Sequence, residues 1–241
     1  MPLPKIATPT YELELPSTGK TIKYRPFLVK EEKILILALE SEDVKQITSA
    51  IKNTLKDCIL TRGIKVEELP TFDIEYIFLN VRAKSVGEAI ELIITCSDDG
   101  ETEVPVKIYI DEIQVQKDPK HTQEIKLDAN LVLKMKYPSL NEFIKNNFDF
   151  SSNEISSIDR SFDVISSCID MVYNNEDVWS ASDCTKKELT DWIETLTSSQ
   201  FKMIEEFFNT MPKLAHTFKV MNPNTKVESE VTLEGLTSFF G

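Results

Sequence analysis

The stretch Tyr11-Glu-Leu-Glu-Leu-Pro-Ser-Thr-Gly-Lys-Thr-Ile-Lys-Tyr-Arg-Pro-Phe-Leu-Val-Lys-Glu-Glu-Lys-Ile-Leu-Ile-Leu-Ala-Leu-Glu40 changes its hydrophobic period midway, and that change decides the fold class. Its first half alternates. Tyr11 to Leu15 and Thr21 to Arg25 each read apolar-polar, and Pro16-Ser-Thr-Gly19 between them has turn chemistry, so a β-hairpin is expected. From Leu28 the apolar residues crowd at helical spacing, and Ile34 to Leu39 is the longest apolar run in the chain. Val44, Ile47, Ile51, Leu55 and Cys58 carry the helical period on to Leu60. Glu40-Ser-Glu-Asp43 interrupts it, and its carboxylates suit the positive end of a second helix. Strand and helix in one short sequence point to an α+β protein.

Outward from this stretch the same reasoning divides the rest. Before it, Pro2, Pro4 and Pro9 exclude a regular helix and suit an extended arm. After it, Pro70-Thr71 opens a helix that should end near Gly87; its apolar residues cover more than one stripe, which implies packing between a helical layer and a sheet. The runs 89–96 and 104–110 flank the turn Ser97-Asp-Asp-Gly100, and further strands are expected at 112–116 and 124–135, together making one antiparallel sheet of four or five strands. Beyond Pro138, Ile155, Ile158, Phe162, Ile165, Ile169 and Val172 form a helical stripe. Thr185-Lys-Lys-Glu188 and Thr197-Ser-Ser-Gln200 are capping boxes that predict an αα-hairpin, with Phe207-Phe208 the place where an aromatic would spill outward. A last hairpin turns at Met221-Asn-Pro-Asn-Thr225, and Phe239-Phe240 should be buried against this fold or a partner. The expected architecture is α+β, with helical bundle-like layers around a small antiparallel sheet and terminal β-hairpins. Residues 1–137 and 138–241 are expected to form two parts packed as one unit.

Composition bounds the function. The 241 residues include 40 acidic against 27 basic ones, a net charge of −13, and 41% are apolar. Such a chain buries roughly 70% of its extended surface on folding, which excludes a disordered acidic tail. The acidic field disfavours nucleic acid as a partner. No signal-peptide pattern or membrane-length run is present, so membrane insertion is not expected and the protein should fold in the cytosol. Cys58, Cys96, Cys168 and Cys184 are dispersed and read as free thiols. Residues 151–241 hold 15 acidic and 7 basic side chains, either a solvated helical face or a field that steers a basic partner. Nucleotide-binding, nucleophile-elbow, zincin and kinase motifs do not occur. Asp98-Asp99-Gly100 reads as a hairpin turn, and His121 and His216 lack the neighbours of a general base. No catalytic, cofactor-binding or metal-ligating residue is nominated, and a small-molecule substrate is not expected.

Three stretches carry a resemblance: Tyr24 through Glu40 with the preceding hairpin, Phe72 through Gly87 with the strand to Cys96, and Met211-Pro-Lys-Leu214 through Phe240. Together they resemble the baseplate hub protein family of T-even-type contractile-tailed bacteriophages. The resemblance implies a non-enzymatic structural or assembly protein of the tail baseplate hub that binds other hub or wedge proteins. It would reside in the host cytoplasm during assembly and in the virion tail baseplate if retained. Relatives also place metal-binding knuckles in such hairpins. Here Cys96-Ser-Asp-Asp-Gly100 keeps one Cys and the Gly, while Met221-Asn-Pro-Asn224 has neither Cys, so hairpins without zinc are expected. Candidate partner contacts, named for apolar chemistry at chain edges, are Pro2, Leu3, Pro4, Ile6, Phe207, Phe208, Phe239 and Phe240. Three alternatives stand beside this reading. They are a transient assembly chaperone absent from the mature particle, a small hydrolase built on Asp98, Asp99, Glu101 and His121, and an acidic decoy that binds a basic surface.

Overall fold

The computed structural model describes residues 6–148, 157–235 and 238. In chain order the elements are β1 (Tyr11–Glu14), β2 (Thr21–Tyr24), α1 (Val29–Glu40), α2 (Val44–Cys58), α3 (Thr71–Val86), β3 (Ala89–Thr95), β4 (Glu103–Tyr109) and β5 (Gln114–Gln116). They continue with β6 (Glu124–Lys126), β7 (Val132–Met135), α4 (Leu140–Phe148), α5 (Ser157–Cys168), β8 (Ile169–Tyr173), β9 (Val178–Ser180), α6 (Lys186–Glu194), α7 (Ser198–Thr210), β10 (Lys213–Met221) and β11 (Glu228–Glu234). The α+β class and the terminal hairpins are as the hydrophobic periods predict.

Two compact units emerge, one from residues 1–116 with 213–241 and one from residues 117–212. The sequence alone predicts a boundary at 137/138. The chain instead leaves the first unit after β5 and returns as β10, which pairs antiparallel with β5 through Lys213↔Gln116, Leu214↔Val115 and Ala215↔Gln114. β11 pairs with the other side of β10, so the C-terminal hairpin belongs with the N-terminal elements.

In the first unit, β1 and β2 pair from Tyr11↔Tyr24 to Glu14↔Thr21 and bury Leu13, Leu15, Ile22 and Tyr24. Asp73, fully buried in the first turn of α3, accepts from the Ser17 backbone N–H (3.0 Å) and hydroxyl, which ties the hairpin turn to α3. α2 begins at Asp43, whose carboxylate accepts from Lys45 N–H at 2.8 Å, and buries Ile47, Ile51, Leu55 and Cys58 along one stripe. α3 buries Phe72, Ile74, Ile77, Leu79, Val81 and Ala83, residues spread around its circumference. It packs against α2 on the helical side and against β5 and β10 on the sheet side, which is why it needs apolar surface in every direction. α3 stops at Gly87, whose φ of 152° few other residues would adopt.

In the second unit, β6, β7, β8 and β9 form a four-stranded antiparallel sheet in sequential order. Leu133, Met135 and Ile169 from the sheet join Ile165, Ile193, Ile204 and Phe207 from the helices in one core. The predicted capping boxes form: Thr185 accepts from Glu188 N–H (3.2 Å) while Glu188 accepts from Thr185 N–H (2.7 Å), and Thr197 and Gln200 repeat the exchange. His121 sits inside this unit, its ring nitrogens 3.0 Å from Thr210 Oγ1 and 3.0 Å from Tyr137 Oη, against the Phe207 ring.

Three expectations are corrected. The mid-chain strands do not share one sheet: β3–β4 stand as a pair, β5 joins β10, and β6–β7 join β8–β9. The run 124–135 is two strands, because Asp128 Oδ1 accepts from the N–H groups of Asn130 (2.7 Å) and Leu131 (2.8 Å) and folds the chain between them. The helical stripe to Val172 ends at Cys168, where Ile169 pairs with Met135 and β8 begins. Ile169 and Val172 face the core either way, so apolar spacing alone did not separate strand from helix. Ile155 falls outside the described residues.

Burial sets thiol chemistry. Cys58, Cys96 and Cys168 are buried and Cys184 is exposed. Burial pushes the Cys58 thiol up to about 11 and the Cys168 thiol up to about 12. Iodoacetamide at neutral pH should therefore modify Cys184 alone in the native protein, as read by peptide mass spectrometry, with the other three reacting only in denaturant. Native modification of Cys168 ahead of Cys184 would contradict this core. Burial also lowers the His121 pKa below its usual 6.5. Its contribution to stability is full above pH 6.5 and declines as the pH falls through the folded value. Replacement by Asn should flatten that part of the denaturation profile.

Candidate interaction surface

α1 is apolar on nearly every side, yet only Glu31 and Ala38 along it are buried. Val29, Ile34, Ile36, Leu37 and Leu39 are between 41% and 80% exposed. A helix of such composition is normally enclosed, and scattered single apolar residues do not account for five on twelve positions.

The end of α1 that enters from β2 is anchored by charge rather than by an apolar stripe. The Arg25 guanidinium donates to Glu31 Oε1 at 2.8 Å, and Leu28 N–H donates to Glu31 Oε2 at 2.8 Å. Lys30 Nζ lies 3.1 Å from the same carboxylate. Arg25 N–H also donates to the Cys58 carbonyl at 2.9 Å, which fixes the pair to the end of α2. Burial by itself would raise the Glu31 pKa, but the hydrogen bonds from Arg25, Leu28 N–H and Lys30 prevail and hold it at about 2. Phe27 completes the anchor: its N–H donates to Ser85 Oγ at 2.9 Å and its ring lies 6.2 Å from that of Phe78 on α3. The start of α1 is thus pinned to α2 and α3 while Val29, Ile34, Ile36, Leu37 and Leu39 stay exposed.

A second polar construction joins two hairpin tips of the first unit. Asn222, at the end of β10, is fully buried, and its amide nitrogen lies 3.1 Å from both Asp98 oxygens and 2.8 Å from Asp99 Oδ2. Its carbonyl oxygen accepts from Asn224 N–H at 2.8 Å and Thr225 N–H at 3.3 Å. Thr225 donates its hydroxyl to Asp98, and Asn224 donates to Thr102 Oγ1 at 3.0 Å. Hydrogen bonds from Thr102, Glu101 N–H and Asn222 hold the Asp99 carboxyl far below its usual value. These are the hairpins in which the family resemblance implied knuckles. The donor set does not fit zinc: Cys96 is a single buried thiol with a raised pKa, and both carboxylates are engaged by neutral donors. Among the described residues, no group of three or more His, Cys, Asp or Glu side chains is placed to hold a metal ion.

The sequence-nominated contacts scatter. Pro2, Leu3, Pro4, Phe239 and Phe240 lie outside the described residues. Ile6 is 92% exposed. Phe207 is buried in the core of the second unit, so the outward aromatic expected there is not Phe207. Phe208 packs edge-on against it, partly covered. His121 is engaged with Tyr137 and Thr210, and Asp98 and Asp99 with the Asn222 hairpin, so each has a structural partner. α1 was missed as a surface. Its signal was the run Ile34 to Leu39, which composition treats as core.

A family model described as "T4 bacteriophage base plate protein" matches residues 8–241. No curated protein and no solved structure matches the chain.

Both polar constructions can be weighed by substitution. Glu31→Gln should lower stability by about 2 kcal/mol, since Arg25 would lose a buried partner. In the native protein the Glu31 contribution is full above its usual pKa of 4.5 and is lost as the pH falls toward about 2. The variant should lack that acid-sensitive segment in urea titrations run across this window. Asn222→Ala should cost about 2 kcal/mol and speed amide exchange at both hairpin tips, measured by hydrogen–deuterium exchange. Unchanged protection at 96–102 would show that the contact does not tie the hairpins.

Proposed function

Because the chain belongs to the T4 bacteriophage base plate protein family, we propose that it serves in the baseplate hub, where a neighbouring hub or wedge protein covers the apolar side of α1. The chain is a phage baseplate structural protein, and protein–protein binding is the role this family implies. The observation that carries the finer reading is α1 itself: five aliphatic side chains left in water on a helix whose start is pinned by Glu31, Arg25 and Phe27. Each would contribute on the order of 1.5 kcal/mol or more if a partner enclosed it, before the cost of association. Before assembly, the net charge of −13 keeps like copies apart and limits self-association through this surface.

The residue 2–10 arm and Phe239-Phe240 supply further contacts in this reading. The protein resides in the host cytoplasm during assembly and in the tail baseplate if retained. Among the described residues, no helix is long and apolar enough to cross a membrane. Fixed stoichiometry in purified intact tails supports a retained hub component, whereas binding to hub proteins without retention supports a chaperone.

The test is the double substitution Ile36→Glu with Leu37→Glu, two positions already half in water. Folding should be nearly unchanged, as surface substitutions usually are. Co-purification with baseplate proteins from infected cells, and the yield of complete tails in a complementation assay, should fall about tenfold or more. A folded variant that assembles at the normal yield would remove α1 from the interface.

A further inference from the structure

The second unit carries an apolar groove of about 430 Å³ between β8–β9 and α6. Trp179 on β9 and Trp192 on α6 line it, with Val172, Leu131, Leu189 and Cys184. These are the only two tryptophans in the chain. Val172 and Trp179 are Cα partners across β8 and β9, so their side chains share a face of the sheet. Trp179 remains 48% exposed and Val178 65% exposed. Tryptophan is the residue type most enriched among dominant interface contacts, and leaving one half in water at the mouth of an apolar groove is costly.

Two further features say what would fill it. β9 is the edge strand of the sheet, pairing with β8 alone among the described residues; it offers a short edge of 3 residues, Val178-Trp179-Ser180, without Lys or Pro. One charged side chain, Glu188, lines the groove, and the segment that supplies much of its lining is acidic: residues 174–196 contain Glu176, Asp177, Asp183, Glu188, Asp191 and Glu194 against Lys186 and Lys187. Lys186 is already paired with Asp163 at 2.7 Å. An occupant therefore needs an extended backbone for the strand edge, a large apolar side chain for the groove, and basic flanks for the rim. A second copy of this chain, at −13, lacks that balance.

We propose that this groove is a docking site for an extended segment of a partner protein, in which an aromatic or large aliphatic residue flanked by Lys or Arg adds alongside β9 and inserts between Trp179 and Trp192. The proposal takes only the class of partner from the baseplate reading and uses a surface other than α1, so the two can fail separately.

The probe is a blocked heptapeptide alternating lysine with valine and phenylalanine, titrated into the full chain while the two indole N–H signals are followed by NMR. Both signals should shift saturably, with a Kd below about 1 mM. A peptide with glutamate in place of lysine should bind at least tenfold more weakly, as should one with proline at its centre. Val178→Lys, which adds positive charge to the β9 edge where the peptide backbone would pair, should weaken the lysine peptide at least tenfold without altering the circular dichroism. Unmoved indole signals, equal affinity for the lysine and glutamate peptides, or equal affinity for the proline peptide would each overturn the proposal. So would a concentration-dependent dimer abolished by Val178→Lys, which would make the occupant a second copy. Should that variant fold poorly, the three peptides on the unsubstituted protein still decide the question.

Discussion

The antiparallel pairing of β5 with β10 is the constraint on which the rest of the structure depends. It joins residues on either side of the 117–212 unit and holds Gln116 opposite Lys213. Closing a long excursion costs conformational entropy that grows only slowly with its length, and an insert that folds as its own unit carries little of that cost at the junction. Once β10 is in place beside β5, it offers its other edge to β11, and the sheet becomes the floor on which α3 packs. α3 in turn separates that floor from α2, so its all-round apolar composition follows from its place between layers.

Charged and polar groups supply specificity where apolar packing cannot. Glu31 and Arg25 set the direction in which α1 leaves β2, and because that anchor is polar, the aliphatic side chains of the helix are not needed inside. Asn222 does related work at the hairpin tips. An amide with two donors meets two carboxylates and replaces, with hydrogen bonds alone, the cross-link that a metal ion would make. A buried amide that is fully engaged adds order, whereas the same amide without partners would be costly, so these hairpins must meet in one register.

Much of the fold was legible in short-range chemistry. Alternation with a Pro-Ser-Thr-Gly turn marked β1–β2, Asp43 marked the start of α2, Pro70 and Gly87 bounded α3, and Thr185 and Thr197 marked α6 and α7. Each signal lies within a few residues of the feature it specifies. Sheet membership was not legible, because strands at 103–109, 114–116 and 124–126 look alike in sequence while their partners lie in three different sheets. The candidate surfaces were hidden for a similar reason. Ile34 to Leu39 reads as core, and Phe207-Phe208 reads as surplus, until packing leaves Ile34, Ile36, Leu37 and Leu39 outside and encloses Phe207.

By itself, the sequence determined an acidic α+β protein with a substantial core, four thiols without a metal-binding pattern, and most helix limits, because periodicity, caps and turns act locally. Tertiary structure alone decided that residues 117–212 are an insertion, that Asp98 and Asp99 serve a buried Asn222, and that Val29, Ile34, Ile36, Leu37, Leu39 and Trp179 meet solvent. Those outcomes depend on which distant segments compete for the same neighbours. Hydrophobicity shows that a side chain gains by leaving water, but only the assembled fold shows whether its own chain has left it a place.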